Sequence, residues 1–270
     1  MIRRTLVGLF AASLLFSQVG ATATTDDFGD AAIAYDNGDY TTAYRLWHPL
    51  AEQGDADAQT YIGYMHYAGE GVPQNFESAA RWFRPAAEQG QVLSQMKLGF
   101  LHYGGKGVSQ DYNEALKWFR LAAEQGDVGG QFNMAVMHMR GEGVTQDYAE
   151  AAKWFRFAAE QGHAGAQSIL GVFYLEGKGV PQGVREGAEW SLLAADQGDA
   201  SAQAIVALLY ALGRGVPRDY VQAHMWASLA VAQGHESAIE NRDSLAADLT
   251  PEQIAESERL ADDWLAAHPQ

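Results

Sequence analysis

Residues 94–126 read SQMKLGFLHYGGKGVSQDYNEALKWFRLAAEQG, and three marks in this stretch return at one interval along the chain. The closing glycine belongs to a series, Gly54, Gly90, Gly126, Gly162, Gly198 and Gly234, spaced by 36 residues and each preceded by glutamine. Gly105-Lys106-Gly107-Val108 repeats as Gly69-Glu70-Gly71-Val72, Gly141-Glu142-Gly143-Val144, Gly177-Lys178-Gly179-Val180 and Gly213-Arg214-Gly215-Val216. Trp118 belongs with Trp82, Trp154, Trp190 and Trp226. Such a period means one supersecondary unit copied along the chain, so a fold with a single central core is excluded.

Each unit reads as two helices. After the Gly-x-Gly-Val turn, Asp111 with Glu114, Asp147 with Glu150 and Asp219 with Gln222 have the spacing of a capping box, in which side chains satisfy free amides at a helix start. The helix opened there carries Tyr112, Ala115, Trp118, Phe119, Ala122 and Ala123 on one face and stops at Gly126. We call it helix B. Its partner, helix A, is expected over 56–68 in the first unit, with Ala58, Ile62 and Met65 on its core stripe and Gly63 admitting a close neighbour. Five full units are expected at 55–90, 91–126, 127–162, 163–198 and 199–234, preceded by an N-terminal capping hairpin over 24–54. C-terminal capping helices follow over 235–270, where Thr250-Pro251-Glu252-Gln253 marks a helix start.

The first residues read as an address. Arg3 and Arg4 precede an apolar run from Leu6 to Phe16, followed by Ala21-Thr22-Ala23, the pattern of a cleavable signal peptide over 1–23. The apolar run is shorter than the roughly 20 residues of a membrane span. The mature chain is therefore expected in the periplasm or secreted, with no membrane span. Among all 270 residues, 18 Lys and Arg face 34 Asp and Glu, a formal charge of −16, and loss of the two N-terminal arginines takes it to −18. A surface this acidic repels phosphate backbones, so nucleic acid is excluded as a partner. The charge reads as a solubility feature, with attraction of a basic partner as the alternative. There is no cysteine, which removes disulfides and thiolate metal sites.

The columns Ala-x-x-x-Leu-Gly, Gly-x-Gly-Val, Asp-Tyr-x-x-Ala-x-x-Trp and Ala-Ala-x-Gln-Gly resemble the Sel-1-like repeat (SLR) family, relatives of the tetratricopeptide repeat. The resemblance runs from about Asp26 to Trp264. It departs at Gly183-Val184 in place of Asp-Tyr, at Ser191 in place of Phe, and at Met134-Ala135 in place of Leu-Gly. It implies an all-α, right-handed α/α solenoid of stacked helical hairpins that binds proteins. Exported bacterial members of this family act as adaptors or regulators in the cell envelope, in signalling and in host contact. That implies an interaction scaffold without catalytic activity, monomeric and with no cofactor.

A second helix A stripe, one position round from the core stripe, holds Thr60, Tyr64 and Tyr67, then Met96, Phe100 and Tyr103, then Phe132, Val136 and Met139, then Ser168, Val172 and Leu175. In tetratricopeptide-like stacks helix A faces the concave groove. Tyr64, Tyr67, Met96, Phe100, Tyr103, Phe132 and Met139 are thus candidate contacts for a protein or peptide partner, aromatic and methionine side chains being enriched at interfaces. The alternative is that this stripe packs against the preceding helix B. The aromatic first three units are expected to bind more than the aliphatic fourth and fifth.

His66, His102 and His138 share one column, but equivalent helices are separated by an intervening helix and stand too far apart to share a metal ion. Ser94-Gln95-Met96-Lys97 matches the Ser-x-x-Lys element of penicillin-binding proteins and β-lactamases, and some exported relatives resemble β-lactamases. Ser94 nevertheless occupies the column of Ala58, Gly130, Ala166 and Ala202, where a small core residue belongs, and neither Lys-Thr-Gly nor Ser-Asp-Asn follows. A β-lactamase-like or cell-wall enzyme, or a groove binder of periplasmic peptides or glycans, are the competing readings.

Overall fold

The computed structural model describes residues 25–268, so the expected signal peptide lies outside the described residues. Among the described residues there are fourteen helices and no strand. They pair as α1 (Thr25–Asp36) with α2 (Tyr40–Glu52), α3 (Ala56–Ala68) with α4 (Phe76–Glu88), and α5 (Val92–Gly104) with α6 (Tyr112–Glu124). Then come α7 (Val128–Arg140) with α8 (Tyr148–Glu160), α9 (Ala164–Glu176) with α10 (Val184–Asp196), α11 (Ala200–Leu212) with α12 (Tyr220–Ala232), and finally α13 (Ser237–Asp248) and α14 (Pro251–Ala267). From α1 to α13 successive helices pack on one another, and α14 returns to α12, which makes the chain an all-α helical repeat solenoid.

The regular helix length follows from punctuation at both ends. Helix A starts where Asp55, Asp127 and Asp199 accept the amides of Ala58, Gly130 and Ala202 at 2.6–2.7 Å. It stops at Gly69, Gly105, Gly141, Gly177 and Gly213, all left-handed with φ between 63° and 79°. In helix B, Asp111, Asp147 and Asp219 each accept two amides of the first turn. Among the described residues the reciprocal bond of a full capping box closes only in α14, between Thr250 and Gln253. Gly183 offers α10 no side-chain cap at all, so that departure from the repeat removes a bond.

Packing within a hairpin depends on a missing Cβ. A methyl on Gly63 would meet the Phe83 ring at 2.7 Å, and one on Gly99 would meet Phe119 at 2.5 Å. In the fourth unit Ser191 takes the place of that phenylalanine, and its buried Oγ has no hydrogen-bond partner. Packing between hairpins is helped by the loop. The second loop glycine (Gly71, Gly107, Gly143, Gly179, Gly215) lies against the backbone at the start of the preceding helix B, at Tyr40, Phe76, Tyr112, Tyr148 and Val184 respectively. By contrast Gly54, Gly90, Gly126, Gly162 and Gly234 turn into open space.

A ladder of glutamines runs along the other end of the hairpins. Gln59, Gln95, Gln131, Gln167 and Gln203 are buried in helix A. Each accepts the amide of the glutamine that ends its own hairpin, Gln89, Gln125, Gln161, Gln197 and Gln233, at 2.7–3.1 Å. Gln59, Gln95, Gln167 and Gln203 also donate to the last-turn carbonyls of the preceding helix B, at Ala51, Ala87, Ala159 and Ala195. Satisfied buried amides fix each hairpin on its predecessor at little net cost, whereas unpaired ones would oppose burial.

Candidate functional site

Successive helices A lie side by side. The Thr60 hydroxyl of α3 is 2.8 Å from that of Ser94 in α5, and Lys97 reaches back so that its ammonium lies 5.3 Å above Tyr64 and 4.6 Å above Tyr67. Such contacts join the helix A faces into one surface. Burial holds the Lys97 pKa below the ordinary lysine value.

The stripe picked from the sequence divides when placed on this surface. Tyr64 and Tyr67 come together with Lys97, half-buried, and Tyr67 also packs edge-on against Phe76 at 5.4 Å. Tyr103 donates its hydroxyl proton to Glu142 at 2.9 Å, accepts from Arg140 at 3.2 Å, and packs on Tyr112. Desolvation and the Glu142 carboxylate push its pKa upward. Phe132 stacks on His163 at 4.4 Å and turns an edge to Phe155, while Met139 packs in the same cluster. Met96 approaches Gly129 of the next helix A. Phe100 stands open, resting one edge on Phe119 at 5.1 Å. These contacts run forward, to the helix B of the same hairpin and to the following repeat.

What stands open on helix A is the pair Phe100 and Leu208, in one column at the edge of that stripe, and Leu93 and Leu212 one step round. Leu93, Phe100, Leu208 and Leu212 are each more than 40% exposed. Lys97 lies one turn after Leu93, and Ile205 sits between Ser201 and Leu208 on the same face. The sequence reading missed Leu93, Leu208 and Leu212. A signal was present, because Leu93 falls in a column otherwise occupied by Asp57, Gly129, Gly165 and Ser201, none of which a core would need to replace with leucine. The exposed apolar residues also reach the fifth unit, through Leu208 and Leu212.

Ser94 is fully buried with its hydroxyl on Thr60, so it has no path to a substrate. The histidines of the shared column face separate seams. His66 Nε2 lies 3.4 Å from the Tyr44 hydroxyl and His102 Nε2 lies 3.4 Å from the Arg84 guanidinium, each across to the preceding helix B. Their backbone carbonyls, with that of His138, accept the amide of the residue that caps the following helix B. The column is thus occupied by residues that anchor a loop. Among the described residues no helix is long and apolar enough to cross a membrane.

A ladder of like hairpins, each held to the next by the same glutamines and glycines, defines an α-solenoid scaffold. The chain belongs to the Sel1 repeat family, whose repeat matches residues 31–55, 56–91, 92–127, 128–163, 164–199 and 200–235. It is similar to a Sel1 repeat protein from Oxalobacter formigenes, with 30% identity, a TM-score of 0.74, and coverage of 92% of this chain and 98% of that one. It also matches c5321, a protective antigen of uropathogenic Escherichia coli with an SLR fold, at 29% identity over 89% of this chain and 68% of that one, with a TM-score of 0.44. No curated protein matches the sequence. Sel1 repeat proteins generally act as protein-interaction scaffolds, and the family is a non-enzymatic protein-binding fold.

Proposed function

We propose that this chain is an exported scaffold that works in the periplasm or outside the cell as an adaptor or regulator of envelope or signalling processes, and that it docks a protein or peptide on its helix A face. The observation that carries the docking site is the exposure of Leu93 and Phe100 on α5, beside the half-buried Tyr64 of α3, and of Leu208, at the position equivalent to Phe100, and Leu212 on the helix A face of α11. Apolar and aromatic side chains left open on a rigid, repeated face are what an interface core needs. The formal charge of −16 favours a basic partner, steering its approach in a salt-dependent way. The scaffold acts as a monomer, since a single solenoid presents the whole face, and the Arg3, Arg4 and Leu6 to Phe16 pattern supports export.

Affinity capture from a native periplasmic extract, compared between the natural chain and a Leu93→Glu, Phe100→Glu, Leu212→Glu variant of equal helical content, tests the reading. The expected result is a partner retained by the first and lost by the second. Retention by both overturns the helix A site. Cell fractionation with N-terminal sequencing of the product tests export, with processing near Thr24 expected and an intact Met1 in the cytoplasm as the contrary result.

A further inference from the structure

Helix B carries its own apolar column at the 36-residue interval. Leu121, Phe157 and Leu193 are exposed by 36%, 41% and 50%, but the next member, Leu229, is only 2% exposed. The difference is α14. Leu229 lies in a cluster with Trp226, against which Leu260 and Trp264 of α14 pack. The Trp264 ring stands 6.2 Å from that of Trp226 and within 3.6 Å of where a Cβ on Gly198 would be. One turn later His268 stacks on Trp264 at 4.2 Å and turns Nε2 toward the Asp196 carboxylate at 3.9 Å.

The seat of Trp264 is thus made by Ala195, Asp196, Gly198, Trp226 and Leu229. Three repeats earlier the equivalent residues, Ala87, Glu88, Gly90, Trp118 and Leu121, line an open cavity of about 500 Å³. Glu88 stands where Asp196 meets His268, and Glu124 adds a second carboxylate to the rim. Lys117, the one cation in the lining, is held by Glu114 at 3.6 Å and lies over the Trp118 ring at 5.0 Å. The rim toward Glu88 is therefore acidic. In the following repeat Phe157 stands at the Leu121 position, its ring packed on Trp154 at 5.5 Å.

We propose that the groove between Gly90 and Leu121 is a second docking site, which takes a helix of a partner protein bearing an aromatic ring and, four residues on, a basic side chain. The chain's own α14 shows which side chains the groove geometry accepts, and Glu88 supplies the charge that selects a basic group beside the ring. The occupant is another protein rather than a second copy, because a copy's Trp264 and His268 are already seated at Gly198 and Asp196. This site lies on helix B, so a scaffold using it and the helix A face can hold two partners at once.

The probe is a fluorescein-labelled synthetic peptide of residues 251–268 carrying Asp262→Ala, Asp263→Ala and His268→Arg, titrated into the full chain and read by polarisation. Saturable binding is expected, with loss in the peptide that also carries Trp264→Ala. In the protein, Leu121→Glu is expected to weaken binding at least about tenfold, as truncating a central contact does. Glu88→Lys, an exposed change that leaves folding alone, is expected to act in the same direction. Unchanged affinity in both protein variants overturns the proposal, whether the peptide has exchanged with α14 at Gly198 or gone elsewhere. Loss with Phe100→Glu and not with Leu121→Glu places the peptide on the helix A face and sinks the helix B site while leaving that face standing. No binding up to about 1 mM, the range of the weakest specific contacts, also overturns it.

Discussion

The side-chain amide of Gln197 donates to the side-chain carbonyl of Gln167 at 2.7 Å, and the Gln167 amide donates in turn to the backbone carbonyl of Ala159 at 3.0 Å. Three helices, α8, α9 and α10, meet through this one buried side chain. Gln167→Ala takes a partner from the Gln197 amide and from one lone pair of the Ala159 carbonyl, and is expected to cost about 1–3 kcal/mol. Gln197→Ala leaves the buried Gln167 carbonyl without that donor but opens it to water at an exposed position, and is expected to cost less, about 1 kcal/mol. Urea unfolding measures both, as a shift in midpoint at constant slope. Equal losses would mean that the exposed member carries the link.

The two kinds of turn glycine are expected to respond differently to a methyl group. Gly162 has φ of 87° and nothing within 4 Å of a built Cβ, so Gly162→Ala carries only the left-handed strain, about 1–2 kcal/mol. Gly179 has φ of 70°, and its Cβ would fall on the carbonyl of Tyr148. Gly179→Ala adds to the same strain the lifting of the loop from α8, and its thermal midpoint is expected to fall clearly further. If the two variants melt together, the loop contact contributes nothing.

Stability is expected to fall on the acid side. Burial pushes the pKa values of His66, His138 and His224 below the ordinary histidine value, and His224 is further disfavoured as a cation by Arg242. With the folded pKa depressed, the unfolded chain binds more protons once the pH drops below about 6.5. The contribution is therefore present above that pH and is lost as the pH falls through the folded values. Urea midpoints measured from pH 7.5 downward are expected to decline below about 6.5, and less steeply in a chain with all three histidines changed to Gln. An unchanged slope would assign the acid limit to the carboxylates instead.

Most of the fold was legible because the punctuation is local. Gly54 to Gly234, the Gly-x-Gly-Val turns and Thr250-Pro251 lie at helix ends, and a residue's effect on its own φ or on a free amide needs no knowledge of distant parts. The candidate site was legible only in part. Periodicity shows that Tyr103 and Phe132 lie on an apolar side of helix A, but that side has its own helix B and the next repeat within reach. Tyr103 is committed by Glu142 and Arg140, 39 and 37 residues away, and Phe132 by His163. The glutamines before each glycine read as part of a stop. Their role rests on partners 30 residues back, which spacing along one helix does not reveal.

The seating of each Gly-x-Gly loop on the start of the preceding helix B gives assembly a direction. Gly107 rests on Phe76, Gly143 on Tyr112 and Gly179 on Tyr148, so the surface on which each loop seats lies in chain that comes earlier. A polypeptide emerging N-terminus first, from a ribosome or through a translocation channel, finds a finished template at every step, and each hairpin once folded becomes the template for its successor.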